Sequence, residues 1–98
     1  MNEEPKSLDI PQDQWWKPLY YFLNTIFGDK YKEAADSFMY MGAYELTSGT
    51  VIYEYKHGVT RKYIALGETG APYKYDNTYI PTSYDEVMQR VYGDIEKF

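Results

Sequence analysis

Ala43-Tyr44-Glu45-Leu46-Thr47-Ser48-Gly49-Thr50-Val51-Ile52-Tyr53-Glu54-Tyr55-Lys56-His57-Gly58-Val59-Thr60-Arg61-Lys62-Tyr63-Ile64-Ala65-Leu66 is the stretch whose reading decides the fold. Its pattern has a period of two, the repeat of a pleated strand. Residues 43–47, 50–56 and 59–66 read as three strands. Ser48-Gly49 and His57-Gly58 read as two-residue turns of the kind that close antiparallel hairpins. A loop at 57–58 sets Lys56 opposite Val59, Glu54 opposite Arg61 and Ile52 opposite Tyr63. On the other face it sets Tyr53 against Lys62 and Val51 against Ile64. Glu54–Arg61 is a favourable cross-strand pair and supports that register. A loop at 48–49 puts Leu46 beside Val51 and Tyr44 beside Tyr53. One face then carries Tyr44, Leu46, Val51, Tyr53, Tyr55, Ile64 and Leu66, and is expected to meet the helices. The other carries Glu45, Ile52, Glu54, Arg61 and Tyr63, and is expected to be wetter. A slip of one residue inverts both assignments.

Upstream the period is helical. A first helix is expected over 13–27, with Leu19, Phe22, Leu23 and Ile26 on one face. Either it begins near Lys17 with Pro18 in its first turn or it kinks at Pro18, and Gly28 suits a left-handed stop. A second helix is expected over 29–41, capped by Asp29, with Tyr31, Ala34, Ala35, Phe38 and Met41 on one face and Gly42 as its stop. Residues 1–12, bracketed by Pro5 and Pro11, read as an extended N-terminal lead. Downstream, residues 67–72 read as a loop and 73–80 as a short edge strand, broken near Asp76-Asn77 and ended by Pro81. Ser83-Tyr84-Asp85-Glu86 is a capping box that opens a last helix with Tyr84, Val87, Met88 and Val91 as its stripe. The expected fold is α+β: an N-terminal helical hairpin (13–27 and 29–41), a three- to four-stranded antiparallel meander, and a C-terminal helix. The expected domain spans 13–98.

Composition narrows the chemistry. The chain has 98 residues, enough for one domain, and 44% of them are hydrophobic, enough for a core. It has no cysteine, which excludes disulfides, thiolate metal sites and thiol catalysis, and favours a reducing compartment. No apolar run approaches the roughly 20 residues that span a bilayer. Met1-Asn2-Glu3-Glu4-Pro5-Lys6 lacks the pattern of a signal peptide, so a cytoplasmic location is expected. The net charge of −5 disfavours direct nucleic-acid binding, which works by neutralising phosphates, and suits a basic protein partner. The 13 tyrosines are more than a core of this size hides, so some must reach the surface, where tyrosine is a frequent interface anchor.

No constellation reads as a catalytic, cofactor or metal site. His57, the single histidine, falls at an expected hairpin tip. Asp85-Glu86 is accounted for by the helix dipole. Asp94-Ile95-Glu96 is the other close pair of acids. Ser37, Ser48 and Ser83 lack a nucleophile's surroundings. Gly67-Glu68-Thr69-Gly70 lacks the lysine of a phosphate loop. Of Trp15-Trp16, one ring is expected to close the core while the other, exposed, is free to anchor a partner.

Residues 73–94 resemble the C-terminal stretch of the LicD-type phosphocholine and phosphosugar transferases. The matching residues are Ile80-Pro81, Tyr84-Asp85 and Tyr92-Gly93-Asp94. That family's catalytic acids lie in an upstream aspartate-rich, metal-binding run. No such run exists here, so no catalytic residue carries over, and the resemblance implies at most a transferase remnant or accessory domain. The residues themselves point to a non-catalytic, acidic protein-binding module: an inhibitor, immunity or anti-defence protein that blocks a basic site on a partner, such as a nucleic-acid-binding protein. Its expected contact residues are Glu45, Ile52, Glu54, Arg61, Tyr63 and Trp16. A structural or homo-oligomerisation module is the remaining alternative.

Overall fold

A computed structural model describes residues 5–93. The elements are β1 (Lys6–Leu8), α1 (Lys17–Phe27), α2 (Tyr31–Ala35), β2 (Phe38–Glu45), β3 (Val51–His57), β4 (Tyr63–Leu66), β5 (Pro72–Tyr75), β6 (Tyr79–Pro81) and α3 (Tyr84–Tyr92). The six strands form one antiparallel sheet in chain order. The α+β expectation holds, but with six strands instead of three or four. The helical hairpin is replaced by a single bent helix: α1 passes through a turn at Gly28–Lys30 into the short α2.

Helix α1 starts at Lys17 and not at Asp13, so of the two readings of Pro18 the first-turn one holds, and the helix stops at Gly28 with φ 58°. Beyond it the expectation fails. The residue before α2 is Lys30, and no side chain caps the helix, so Asp29 does not take the part foreseen for it. Phe38 is buried, Met39 exposed and Tyr40 half-buried, a strand alternation that competes with the helical spacing of the same apolar residues. Pairing with β3 decides the matter, because it satisfies the backbone of 38–45 along seven register positions. Gly42 is not a helix stop. It follows a bulge in which Met41 is the extra residue, and its φ of 131° is one that only glycine takes easily. Within the stretch read as an extended lead, Lys6, Ser7 and Leu8 join the sheet by pairing with Glu45, Tyr44 and Ala43.

Loop length sets which face each side chain takes. The Leu46 amide donates to the Thr50 carbonyl at 2.9 Å and the Gly49 amide to the Leu46 carbonyl at 2.8 Å. The β2–β3 loop is therefore three residues, 47–49, instead of two. The odd length moves the pairing by one, so Ala43 meets Tyr53 and Tyr44 meets Ile52. Tyr44 and Leu46 leave the expected core face and Glu45 joins the helix side, the inversion that a one-residue slip entails. At the next hairpin the His57 amide donates to the Lys62 carbonyl and the Arg61 amide to the His57 carbonyl, both at 2.8 Å. That loop is four residues, 58–61, and its even length preserves the faces. Tyr53 and Tyr55 stay with Leu66 and Ile64, although the individual partners differ from those expected.

Both long helices cover one face of the sheet. Leu19, Phe22 and Leu23 of α1 and Val87, Val91 and Tyr92 of α3 pack on Ala43, Tyr53, Tyr55, Ile64 and Leu66. Each fully buried Leu, Ile, Val or Phe contributes about 1.5–3 kcal/mol. The Ser83 hydroxyl caps α3 by accepting from the Glu86 amide at 3.1 Å, as the capping box predicts. The reciprocal half is absent: Glu86 accepts from Thr82 Oγ1 at 3.3 Å and from Arg90 Nε at 3.1 Å. No helix of the described residues is long and apolar enough to cross a membrane.

Candidate functional site

The sheet face away from the helices is the candidate site. Register places its residues in rows across the strands. Met39, Lys56 and Tyr63 stand side by side in one row. Gly42, Glu54, Ala65, Tyr73 and Pro81 form the next. Tyr44 and Ile52 form a third. An antiparallel sheet with one free face normally fills it with polar side chains. Here exposed positions hold Met39 (46% exposed), Tyr63 (45%) and Tyr75 (65%) instead.

This face is concave. In a flat sheet β6 and β3 lie three strand spacings apart, about 14 Å. Yet the Tyr79 hydroxyl on β6 donates to Glu54 Oε2 on β3. The β4–β6 part of the sheet must therefore curl over, and Tyr73 and Tyr79 roof a second small core of Leu46, Ile52 and Ala65. The β4–β5 ladder ends at Ala65↔Tyr73. Two residues further, where Tyr75 would meet Tyr63, Arg90 reaches across from α3 and donates to the Tyr63 carbonyl. The two strands part there and leave a cleft of about 200 Å³, lined by Glu54, Tyr63, Tyr73, Tyr75, Tyr79 and Arg90 among others.

Charges around the cleft are matched, with one exception. Arg90 and Glu86 form an ion pair at 3.1 Å. The Lys56 ammonium lies 5.5 Å from the centre of the Tyr63 ring, within cation–π range. Glu54 has no ion-pair partner among the described residues; its bond is to the Tyr79 hydroxyl. Burial, reinforced by that bond to the carboxylate, pushes the Tyr79 hydroxyl well above the ordinary tyrosine range, so it stays protonated and donating. Tyr75 and Tyr79 meet edge to face at 5.1 Å, which orients two rings over the cleft.

Of the residues expected at a contact surface, Ile52, Glu54 and Tyr63 do share this face. Ile52 is fully buried beneath it, so it supports the surface without presenting it. Glu45 lies on the helix side, opposite Lys6 and Val51. Arg61 sits in the four-residue turn with φ 65° and does not pair with Glu54, which faces Ala65. Trp16 is also elsewhere: its ring packs on Tyr55 at 5.9 Å, beside the main core. Trp15 is no freer, since it stacks on Tyr40 at 4.5 Å and its Nε1 donates to the Ile10 carbonyl at 2.7 Å. Sequence reasoning missed Met39, Tyr73, Tyr75, Tyr79 and Arg90. The signal for two of them was present in Tyr73-Lys74-Tyr75, whose spacing of two puts both rings on one strand face; Tyr79 joins them because the three-residue loop pairs it with Tyr75.

Other expected chemistries resolve structurally. His57 is not in an exposed tip. It is the last residue of β3, 3% exposed, with its ring edge-on to Phe38 and Tyr92. Its Nδ1 accepts from the Val59 and Thr60 amides, both at 3.2 Å, so the neutral ring organises the turn, and burial lowers its pKa. Gly67-Glu68-Thr69-Gly70 is a tight β4–β5 turn pressed against α1. Among the described residues no three of His, Cys, Asp and Glu gather as a metal site would require. The segment that carries the LicD resemblance forms β5, β6 and α3; Asp94 and Glu96 lie outside the described residues.

Fold and site together define an α+β domain with one helix-covered sheet face and one concave, tyrosine-lined face. Comparison with protein-family models, curated proteins and solved structures gives no match.

Proposed function

We propose that this chain is a non-catalytic protein-binding module whose contact surface is the concave face of its sheet. The observation that carries this reading is the row of Met39, Lys56 and Tyr63, with Tyr75 beyond it, held in the open by strands whose other face is packed. Tyrosine and methionine are enriched in interface cores, and a rigid sheet presents them with little ordering cost on binding. The net charge of −5 favours a partner with a basic site, which fits an inhibitor, immunity or anti-defence role. The acidity does not come from this face, which carries as many cations, Lys56 and Arg90, as carboxylates, Glu54 and Glu86, although Glu54 is in no ion pair among the described residues. Tyrosine therefore supplies the contact, and the remaining surface supplies the long-range attraction. Exposed rings on a sheet also stack nucleobases, but that mode combines them with a cationic groove, which this face lacks.

The test is capture of partners from the native host by the wild-type chain and by a Tyr63→Ala/Tyr75→Ala variant, compared at equal folded concentration. A protein retained by the wild type and lost by the variant is the expected result. A partner held equally by both, a single-stranded nucleic acid as the retained species, or self-association alone would overturn the reading.

A further inference from the structure

We propose that the cleft between β4 and β5 takes one lysine side chain of the partner protein, its stem against the Tyr75 and Tyr79 rings and its ammonium on Glu54. This rests on the protein-binding reading and names the group that the face recognises.

Size comes first. Ligand pockets for drug-sized molecules enclose roughly 300–1,000 Å³. This cleft, at about 200 Å³, is too small for such a ligand and suits a single side chain. Charge comes second. Glu54 is half-buried on the cleft wall, accepts one hydrogen bond at Oε2, and has no cation within ion-pair distance among the described residues, the cleft's Arg90 being paired with Glu86. A half-buried carboxylate in that position is stabilised by an arriving cation, and a cation loses least of its hydration where a carboxylate replaces the water. The walls come third. Aromatic rings attract cations through their faces, and alkyl stems pack on them. The chain already displays this chemistry once, with Lys56 over Tyr63, while Tyr75 and Tyr79 have no cation over their rings among the described residues.

Lysine is favoured over arginine by the donor geometry. A guanidinium is matched by two carboxylate oxygens side by side. Tyr79 already donates to Oε2 of Glu54, so a side-by-side fork would have to share that oxygen with the hydroxyl, whereas a compact ammonium can use Oε1 alone. Lys56 follows Glu54 by two residues on the same strand face, with its ammonium over the Tyr63 ring that borders the cleft, so its charge opposes the entry of a second cation. Its removal should therefore strengthen binding, which no merely structural role for the cleft foresees.

The experiment is an NMR titration of the full chain with Nα-acetyl-lysine amide, alongside Nα-acetyl-norleucine amide and Nα-acetyl-arginine amide. The lysine probe should give saturating shifts at Tyr63, Tyr75, Tyr79 and Glu54, and the neutral norleucine probe none. Glu54→Gln, which retains an acceptor for Tyr79, should weaken lysine binding by on the order of ten-fold or more, the loss of a charged hydrogen bond. Lys56→Gln should strengthen it about two- to five-fold. Tyr75→Ala, at an exposed position, gives a second weakening variant that leaves the core untouched. An equal response to norleucine, shifts that never saturate, an unchanged Glu54→Gln variant, or tighter arginine binding would each overturn the proposal. If those negatives coincide with a partner that still depends on Tyr63 and Tyr75, the cleft assignment falls alone. If the partner ignores both tyrosines, the surface reading falls and takes this inference with it.

Discussion

Replacing Gly70 with alanine tests whether the β4–β5 hairpin is pressed against α1, the contact that holds one wall of the cleft in place. Gly70 is buried, closes its turn by donating to the Gly67 carbonyl at 2.9 Å, and has φ 88°. A methyl group there would lie 2.9 Å from the Phe22 amide nitrogen, 2.9 Å from Tyr21 Cβ and 3.1 Å from the Pro18 carbonyl. These atoms belong to the helix backbone or are fixed to it, so none can swing aside. Two costs add. Placing an L side chain in left-handed backbone costs about 1–2 kcal/mol. Forcing an extra methyl into packed space costs about 1–3 kcal/mol. The expected loss is then about 2–5 kcal/mol, a large share of the roughly 5–15 kcal/mol that holds a typical native protein together. Gly49 is a matched control, because its φ is 91° and nothing lies within 4 Å of the added carbon. Gly49→Ala should lose only the backbone cost, about 1–2 kcal/mol. Urea unfolding followed by tryptophan fluorescence measures both, with unchanged slopes as the check that only stability has moved. Equal losses in the two variants would refute the close packing of hairpin on helix.

Three further outcomes follow from the same geometry. His57 is held neutral by burial, with a folded pKa below its unfolded value near 6.5, so its contribution is present above that pH and is lost as pH falls through the folded pKa. Thermal stability should drop between pH 7 and pH 5, and His57→Asn, whose side-chain oxygen can accept from the same turn amides, should flatten that drop; an unchanged profile would argue against it. Buried tyrosines give the opposite limb: burial pushes Tyr92 up to about 12 and raises Tyr55 and Tyr79 further, so stability should fall as pH rises above 10, and ultraviolet titration should show a late-ionising group that coincides with unfolding. Ser83→Ala removes the α3 cap and should cost about 1 kcal/mol in denaturant unfolding, while Ser83→Asp or Asn should restore most of it.

Much of this arrangement is legible in the order of the residues alone. The α1 stripe, its Pro18 start and Gly28 stop, the alternation of β3, and the Ser83 cap are local signals, and each holds in three dimensions. What sequence reading misplaces depends on counting. Ser48-Gly49 looks like a two-residue turn, but the loop takes Thr47 as well, and that single extra residue carries Tyr44 and Leu46 to the opposite face. Phe38-Met39-Tyr40-Met41 is uniformly apolar, so its period does not distinguish helix from strand, and the bulge at Met41 blurs it further. Lys6–Leu8 has no internal pattern at all; only the free edge of β2 makes it a strand. The candidate site depends on long-range curl. Glu54 and Tyr63 are readable as a strand face, whereas the meeting of Tyr79 with Glu54 requires β6 to turn back over β3.

The most direct measurement of the central claim is oxidative footprinting of the chain free and bound to its captured partner. Tyr21 on the outside of α1 is 54% exposed and serves as the internal reference against Tyr63 and Tyr75 on the concave face. Binding through that face predicts strong protection of Met39, Tyr63 and Tyr75 with Tyr21 oxidised at its free rate. Protection of Tyr21 with Met39, Tyr63 and Tyr75 left open would contradict it.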